Sequence, residues 1–459
     1  MTSWRPQGVD RPGYQALVAS LQQDIQSGRL RAGERLPAIR QLAQQLAVNP
    51  TTVARAYRAA EQLGLLHSQT GQGTFVCGQL ALERVIRSPH AEKPLNLSII
   101  QPQLTLAEPA VQRALPRLAQ QITAQQLGYP AQALLPHQRQ AIDAWLKWLG
   151  NPLAPGHTLL PVHGAQHGLQ AILLALTSAG ETVGAENLCY PGLIALCQSL
   201  GRTLQGFPMD ELGLLPEAVE EYCQRAQLHL LVVTASQQNP TTAIMPLRRR
   251  QALIAVARRH QLTLIDDDIY GFTVRGQVPS LYQLAPDCTL SLNSLSKCLL
   301  PGLRCGWICL PPAAAEAVQR AIRTQIWMPS PLGLELASQL ILSGDAEQIC
   351  QAQLQEAQAR QQLAYHLLGS RYQHQLRGLH GWLRLPAGVS PDELAGRAEQ
   401  AGVLISSARY FAPDGQHSPA AVRLGLMATE SREQLSRALT LLRDLLATDD
   451  DAVGQLSAT

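Results

Sequence analysis

Residues 289–306 read TLSLNSLSKCLLPGLRCG. Leucine alternates with small polar residues through TLSLNS, which is the period of a strand. Serine-flanked Lys297 follows at once, then a Pro-Gly break, then Arg304 seven residues past the lysine. Two earlier runs share this build. LHLLVVTAS (228–236) and LTLIDDD (262–268) are short, apolar and end in polar residues. From about residue 96 such runs alternate with long helical patterns. That alternation predicts an α/β domain whose ligands gather at the carboxyl ends of its strands. Asp267 and Lys297 both stand at such ends.

A lysine there can condense with an aldehyde cofactor when its pKa is lowered and it is held against the carbonyl. If that aldehyde is pyridoxal 5'-phosphate, three further needs follow, and the sequence offers a candidate for each. A carboxylate must keep the pyridine nitrogen protonated so that the ring draws electrons. Asp267 in IDDDIYG is the candidate. The phenolic oxygen needs a hydroxyl or amide, and Tyr270 and Asn239 (of QQNPTT) can reach it from two sides. The phosphate needs backbone amides at a helix N-terminus and a cation. HGAQHGLQAILLAL (163–176) supplies Gly164, Ala165 and Gln166, and Ser294, Ser296 and Arg304 complete the cradle around Lys297. Tyr190 of LCYPGL can stack on the ring. Arg423 of AAVRLGL can hold a substrate or effector carboxylate as a bidentate fork. His163 and His167 flank the phosphate turn and read as hydrogen-bonding residues.

The 459 residues exceed one small core and point to several domains. At 46% hydrophobic and 15% charged, the composition is that of a folded globular protein. No apolar run is long enough for a bilayer, and MTSWRPQGVDRPGY lacks an apolar signal core. These features point to the cytoplasm, where nine cysteines with no CxxC pair are reduced thiols and no metal site is expected. Residues 448–459 read as a flexible tail. Net charge is +3 but uneven: residues 1–90 hold ten arginines, no lysine and five acids, a net of +5 that leaves −2 on the remainder. A basic head on a near-neutral body predicts a polyanionic partner for the head.

In that head, Tyr14, Leu17, Val18, Leu21 and Ile25 make one helical stripe. A short helix through Leu42 and Leu46 follows. VNP makes a turn, with Pro50 opening a third helix that turns Val53, Tyr57 and Leu63 inward and Thr51, Thr52 and Arg55 outward. LLHSQTGQGTFV reads as a hairpin tipped by Gly71 and Gly73. Three helices and a hairpin make a winged helix-turn-helix, whose third helix suits a DNA major groove. The pattern G.L..G..LP..R.LA..L.VN..TV.RAY, with its glycine-tipped wing, resembles the DNA-binding domain of GntR-type bacterial regulators over residues 10–78. The resemblance puts DNA contacts on Arg40, Thr51, Thr52, Arg55 and the Gly71–Gly73 tip. Some relatives carry arginine where this chain has Pro50. Residues 79–95 then form a linker, with a short helix expected over 80–86.

Residues 96–447 resemble the fold-type I aminotransferases, with a large part to about residue 315 and a small part from about 340. That resemblance implies a dimer with sites at the subunit interface, where Tyr129 of QLGYP reaches the neighbouring phosphate. Three positions depart from the family pattern: Thr242 stands where glycine is common after NPT, and Ala133 and Gln138 replace residues usual after GYP. Head and body together resemble the MocR or PdxR-type regulators. The resemblance implies a pyridoxal phosphate-binding, head-to-tail homodimer with crossed heads that binds double-stranded DNA in response to a small amine, amino acid or vitamer. An active aminotransferase with an auxiliary head is the alternative.

Overall fold

The computed structural model describes residues 4–6, 12–26, 29–30, 34–62, 65–69, 73–76, 95–129, 133–413 and 418–456. They fall into two compact units, a head within residues 1–87 and a body.

In the head, α1 (Tyr14–Gln26), α2 (Ile39–Leu46) and α3 (Pro50–Gln62) pack around Leu17, Leu21, Leu42, Val53, Ala56 and Tyr57, all buried. Each fully buried leucine contributes about 2 kcal/mol of hydrophobic stabilisation. Asn49 starts α3: its Oδ1 accepts from the Thr51 amide at 2.9 Å and the Thr51 hydroxyl at 2.8 Å. Pro50 fills the first helical position, where a missing N–H costs nothing. The wing pairs β1 (Leu66–Gln69) with β2 (Gly73–Val76), antiparallel. Residues 34–36 add a third line of pairing, through Leu36 N to Thr74 O (2.8 Å) and Val76 N to Glu34 O (2.9 Å). The head also reaches further back than residue 10. Trp4 is buried in its core and donates through Nε1 to Asp24 at 2.7 Å. Leu63, Gly71 and the linker to residue 94, with its expected helix, lie outside the described residues.

The body's large sheet contains β3 (Thr158–Val162), β4 (Thr182–Glu186), β5 (Thr203–Phe207), β6 (Leu230–Val233), β7 (Thr263–Asp267), β8 (Thr289–Ser294) and β9 (Gly306–Leu310). Their spatial order is β3-β9-β8-β7-β6-β4-β5, parallel except for β9. The central strands β6, β7 and β8 are buried on both faces, as a sheet covered by helices requires. All three strands expected around Asp267 and Lys297 are present. A smaller antiparallel sheet follows: β10 (Tyr372–His374), β11 (His380–Arg384), β12 (Ser406–Ser407) and β13 (Ala421–Gly425), ordered β10-β11-β13-β12. Residues Leu95–Asn96 pair in parallel with Val403–Leu404, so Leu95 is already part of this smaller subdomain and not of the linker. The last helix, Arg432–Leu456, continues through most of the stretch expected to be a flexible tail. No proline follows Pro419 to stop it.

Alternation along β7 sorts three consecutive aspartates. Asp266 and Asp268 lie under the influence of Arg250, a fully buried guanidinium that also donates to Met245 O (2.9 Å), Ala235 O (2.8 Å) and Pro279 O (3.1 Å). Asp267 points the other way, as a period of two requires.

Thr242 keeps a left-handed backbone, φ +69°, and is buried. A β-branched residue there costs roughly 1–2 kcal/mol, offset in part by the lower chain entropy of threonine relative to glycine. Thr242→Gly is therefore expected to raise stability by about 0.5–1 kcal/mol, read as a higher urea midpoint at unchanged slope. A lower midpoint would show that threonine's contacts outweigh its strain.

Candidate functional site

The site gathers at the carboxyl ends of β6, β7 and β8. Asp267, the last residue of β7, is buried, and its Oδ1 has no hydrogen-bond partner. Burial and neighbouring Asp266 raise its pKa to about 7, against the pull of Lys297. Lys297 follows β8. Burial and the Arg423 guanidinium lower its pKa to about 8, while Asp267 acts in the opposite direction. Its Nζ donates to the Ile100 carbonyl at 2.6 Å.

Arg423, on β13, comes from the smaller subdomain. It donates through Nη1 to Asn239 Oδ1 at 2.9 Å and through Nη2 to the Ser98 carbonyl and to Ser406 Oγ, the latter at 3.4 Å. Its Nε has no partner, and burial lowers its pKa to about 10. Tyr270 is fully buried, and burial pushes its phenol well above the usual range. Tyr190 stands at the entrance to the helix Pro191–Ser199, with its phenol raised to about 12 by burial.

The phosphate turn has the expected form. Gly164 precedes α4 (Ala165–Leu176) with φ +79°. A Cβ there would lie 2.6 Å from Arg304 Nη2, so the guanidinium rests against the glycine. Arg304 also donates to His163 O at 3.1 Å. Gln166 Oε1 is buried without a partner. The two serines divide their work. Ser294 Oγ lies 2.9 Å from Ser296 Oγ and 3.1 Å from Cys305 O, a carbonyl that can accept its one hydrogen and turn this hydroxyl away from a ligand; Ser296 is the more open of the two. His167 Nδ1 accepts from the His163 main-chain amide at 3.1 Å while its Nε2 has no partner, and burial lowers the His167 pKa to about 4; His163 serves the turn through its main chain.

Residues 92–442 match the family model for aminotransferase class I and II, and residues 13–76 match that for bacterial regulatory proteins of the gntR family. An uncharacterized HTH-type transcriptional regulator of Bacillus subtilis is 27% identical over 453 residues, covering 97% of each chain. The HTH-type pyridoxine biosynthesis transcriptional regulator PdxR of Corynebacterium glutamicum is 30% identical over 311 residues, 66% of this chain and 67% of that one. Among solved structures, the α-aminoadipate aminotransferase LysN of Thermus thermophilus superposes with a TM-score of 0.71 at 23% identity, covering 83% of this chain and 98% of that one. The chain belongs to the MocR/PdxR-type transcriptional regulators. Its body has the fold of the pyridoxal phosphate-dependent aminotransferases.

In this MocR/PdxR-type chain the structure brings Lys297, Asp267, Asn239, Tyr270 and Arg423 into one buried neighbourhood. Tyr129 is 79% exposed and meets Trp327 of its own chain edge-on, with ring centroids 5.8 Å apart. In the head, Arg40, Thr51 and Arg55 are exposed and Thr52 is half-buried. Arg55 is not a free arm, however: its guanidinium lies 4.1 Å over the Tyr14 ring, a cation–π contact that fixes its direction. Gly73 opens β2 beneath Arg35, whose Nε would lie 2.6 Å from a Cβ there.

Two candidate site residues escaped the sequence reading. Arg58 is exposed on α3. His380 is fully buried beside Tyr270 (centroids 5.6 Å), with Nε2 3.2 Å from Gln238 O and Nδ1 unpartnered. Lysine scarcity was a further signal: the chain has only Lys93, Lys147 and Lys297.

The depressed Lys297 pKa has a kinetic consequence. Only the neutral amine attacks an aldehyde. Attachment of added pyridoxal phosphate is expected to speed up about tenfold per pH unit below pH 8 and to level off above it. Stopped-flow absorbance measures this; a rate still climbing tenfold per unit between pH 9 and 10 would place the amine in an ordinary solvated setting.

Proposed function

We propose that this regulator carries pyridoxal phosphate on Lys297 and that the state of that site sets the affinity of its head for DNA. The observation that carries the reading is the pairing of an unpartnered, buried Asp267 Oδ1 with a lysine of lowered pKa beside a helix N-terminus. The residues fit the cofactor. Asp267 Oδ1 can accept from the protonated pyridine nitrogen. Tyr270 and Asn239 can serve the phenolic oxygen, and Tyr190 can cover the ring. Gly164, Ala165, Gln166, Ser296 and Arg304 can hold the phosphate, with Ser294 bracing the turn. When bound, pyridoxal phosphate supplies an aldehyde carbon for Nζ and a ring that draws electrons from it.

Each of this chain's own groups then has a defined task. Lys297 holds or yields a covalent bond at Nζ. Asp267 keeps a proton in place at the ring nitrogen. Arg423, with Nε free, receives the carboxylate of an amino-group effector; an amine or a vitamer competes at Lys297 instead. Thr51, Thr52, Arg40, Arg55 and Arg58 face a DNA major groove and its phosphates, with the wing around Gly71 and Gly73 against the backbone.

A second copy of the chain completes the reading. Leu127, Tyr129, Trp327 and Leu332 are all more than half exposed, and an apolar group of this kind supports a homodimer contact. Tyr129 is then the residue that reaches the partner's phosphate, in the head-to-tail arrangement that crosses the heads. An active transaminase is the weaker reading, since the relative matched along 97% of the chain is named a transcriptional regulator.

The test is equilibrium binding of the full chain to the DNA upstream of its own gene, at fixed salt, with and without pyridoxal phosphate. A shift of at least about fivefold in Kd is expected in the wild type and none in Lys297→Ala. Unchanged Kd in a wild type that visibly takes up the cofactor overturns the reading.

A further inference from the structure

The two residues that meet a ligand's amino and carboxyl groups are both held by one short piece of main chain. Lys297 Nζ donates to Ile100 O at 2.6 Å, and Arg423 Nη2 donates to Ser98 O. Ser406 Oγ adds a bond to the same Ser98 carbonyl at 3.1 Å. Gly425, two residues from Arg423 on β13, clears the path: a Cβ there would lie 2.2 Å from Ile99 O. The segment is anchored at both ends. Upstream, Leu95 N donates to Gly402 O (2.9 Å), Leu97 N to Leu404 O (2.7 Å), and Gly425 N to Leu97 O (2.7 Å). Downstream, Gln103 exchanges two bonds with the Gln353 side chain, at 2.8 and 2.7 Å. The upstream anchor lies wholly on the smaller subdomain, whereas Lys297 belongs to the large sheet. The Lys297–Ile100 bond therefore ties the two parts of the body together. It does so five residues after Leu95, where the linker from the DNA-binding head ends.

We propose that residues 97–100 are a strap that ligand chemistry at Lys297 and Arg423 unfastens, carrying the state of the site to the chain that leads to the head. This deepens, and rests on, the reading of Lys297 as the cofactor residue. Condensation of the neutral Nζ with an aldehyde forms a C=N bond and releases one water, the aldehyde oxygen leaving with both amine hydrogens. The neutral imine nitrogen then has no hydrogen left to give Ile100 O. Arg423 responds to a carboxylate in a parallel way. Its free Nε shares a side with Nη2, whose two hydrogens serve Ser98 O and Ser406 Oγ, so a carboxylate taking both nitrogens as a fork competes with these two acceptors for Nη2. Covalent attachment loosens one end of the strap and a carboxylate the other, so the linker's anchorage follows how many of the two sites are filled.

Two variants separate the strap from the cofactor bond. Neither Lys297→Arg nor Lys297→Met can form the C=N bond, but only arginine keeps a donor for Ile100 O. Hydrogen–deuterium exchange of full-length protein, followed on the peptide spanning 95–106, reads the strap directly. Losing a charge-assisted hydrogen bond is expected to speed exchange of the bonded amides of Leu95, Leu97 and Gln103 about tenfold in Lys297→Met, with Lys297→Arg like the free wild type. Wild type saturated with pyridoxal phosphate is expected to exchange as Lys297→Met does, and this comparison stands if the Met variant does not fold. Equal exchange in the Arg and Met variants, or in wild type with and without attached cofactor, overturns the strap. Absence of cofactor attachment in wild type instead overturns the functional reading, and the Arg–Met comparison still decides the strap.

Discussion

Burying three consecutive carboxylates is the constraint on which the body's design turns. An isolated buried carboxylate is costly unless paired or protonated. Strand alternation splits the burden. Asp266 and Asp268 fall beside Arg250, itself held by three main-chain carbonyls, and Ser236 adds a 2.6 Å bond to Asp268. Asp267 is left facing the site with one oxygen unanswered. Asp266 Oδ1 is likewise without a partner, so what sets Asp267 apart is the side it faces, where a cationic or N–H donor can meet it. Lys297 and Arg423 bring the compensating positive charge, and each has its own pKa lowered by the same burial.

Much of this was legible in the sequence because it is local. Period-two runs located β6, β7 and β8, and the strand-end rule placed Asp267 and Lys297. Glycine and proline punctuation located the phosphate turn and the start of α3. What escaped depends on partners far away in the chain. Ile100 and Lys297 are 197 positions apart, Ser98 and Arg423 are 325 apart, and no local pattern encodes such meetings. The head's Trp4–Asp24 bond and the third line of pairing on the wing belong to the same class. Arg55 was legible as an outward residue, but its stacking on Tyr14 was not. The stretch expected as a flexible tail is helical to Leu456, and no proline after Pro419 stops that helix.

The molecule joins two different chemistries without blending them. The head's core is closed by its own leucines and by Trp4, and the arginines among its described residues are exposed. The body keeps its site at the seam between a mostly parallel sheet and a small antiparallel one, where hydrogen bonds to the Ser98 and Ile100 carbonyls reach residues of both parts. Coupling of this kind requires a ligand that treats two arrangements differently. Donors already engaged by the chain's own backbone supply that difference, because a ligand must replace those bonds.

The central claim is that Lys297, and no other lysine, is the covalent anchor. The chain's three lysines make the measurement clean. Full-length protein incubated with pyridoxal phosphate, reduced with borohydride and digested, is mapped by mass spectrometry. The account predicts a pyridoxyl group on the Lys297 peptide, with Lys93 and Lys147 unmodified and the label lost in Lys297→Ala. A label on Lys93 or Lys147 instead, or none at all, would contradict it.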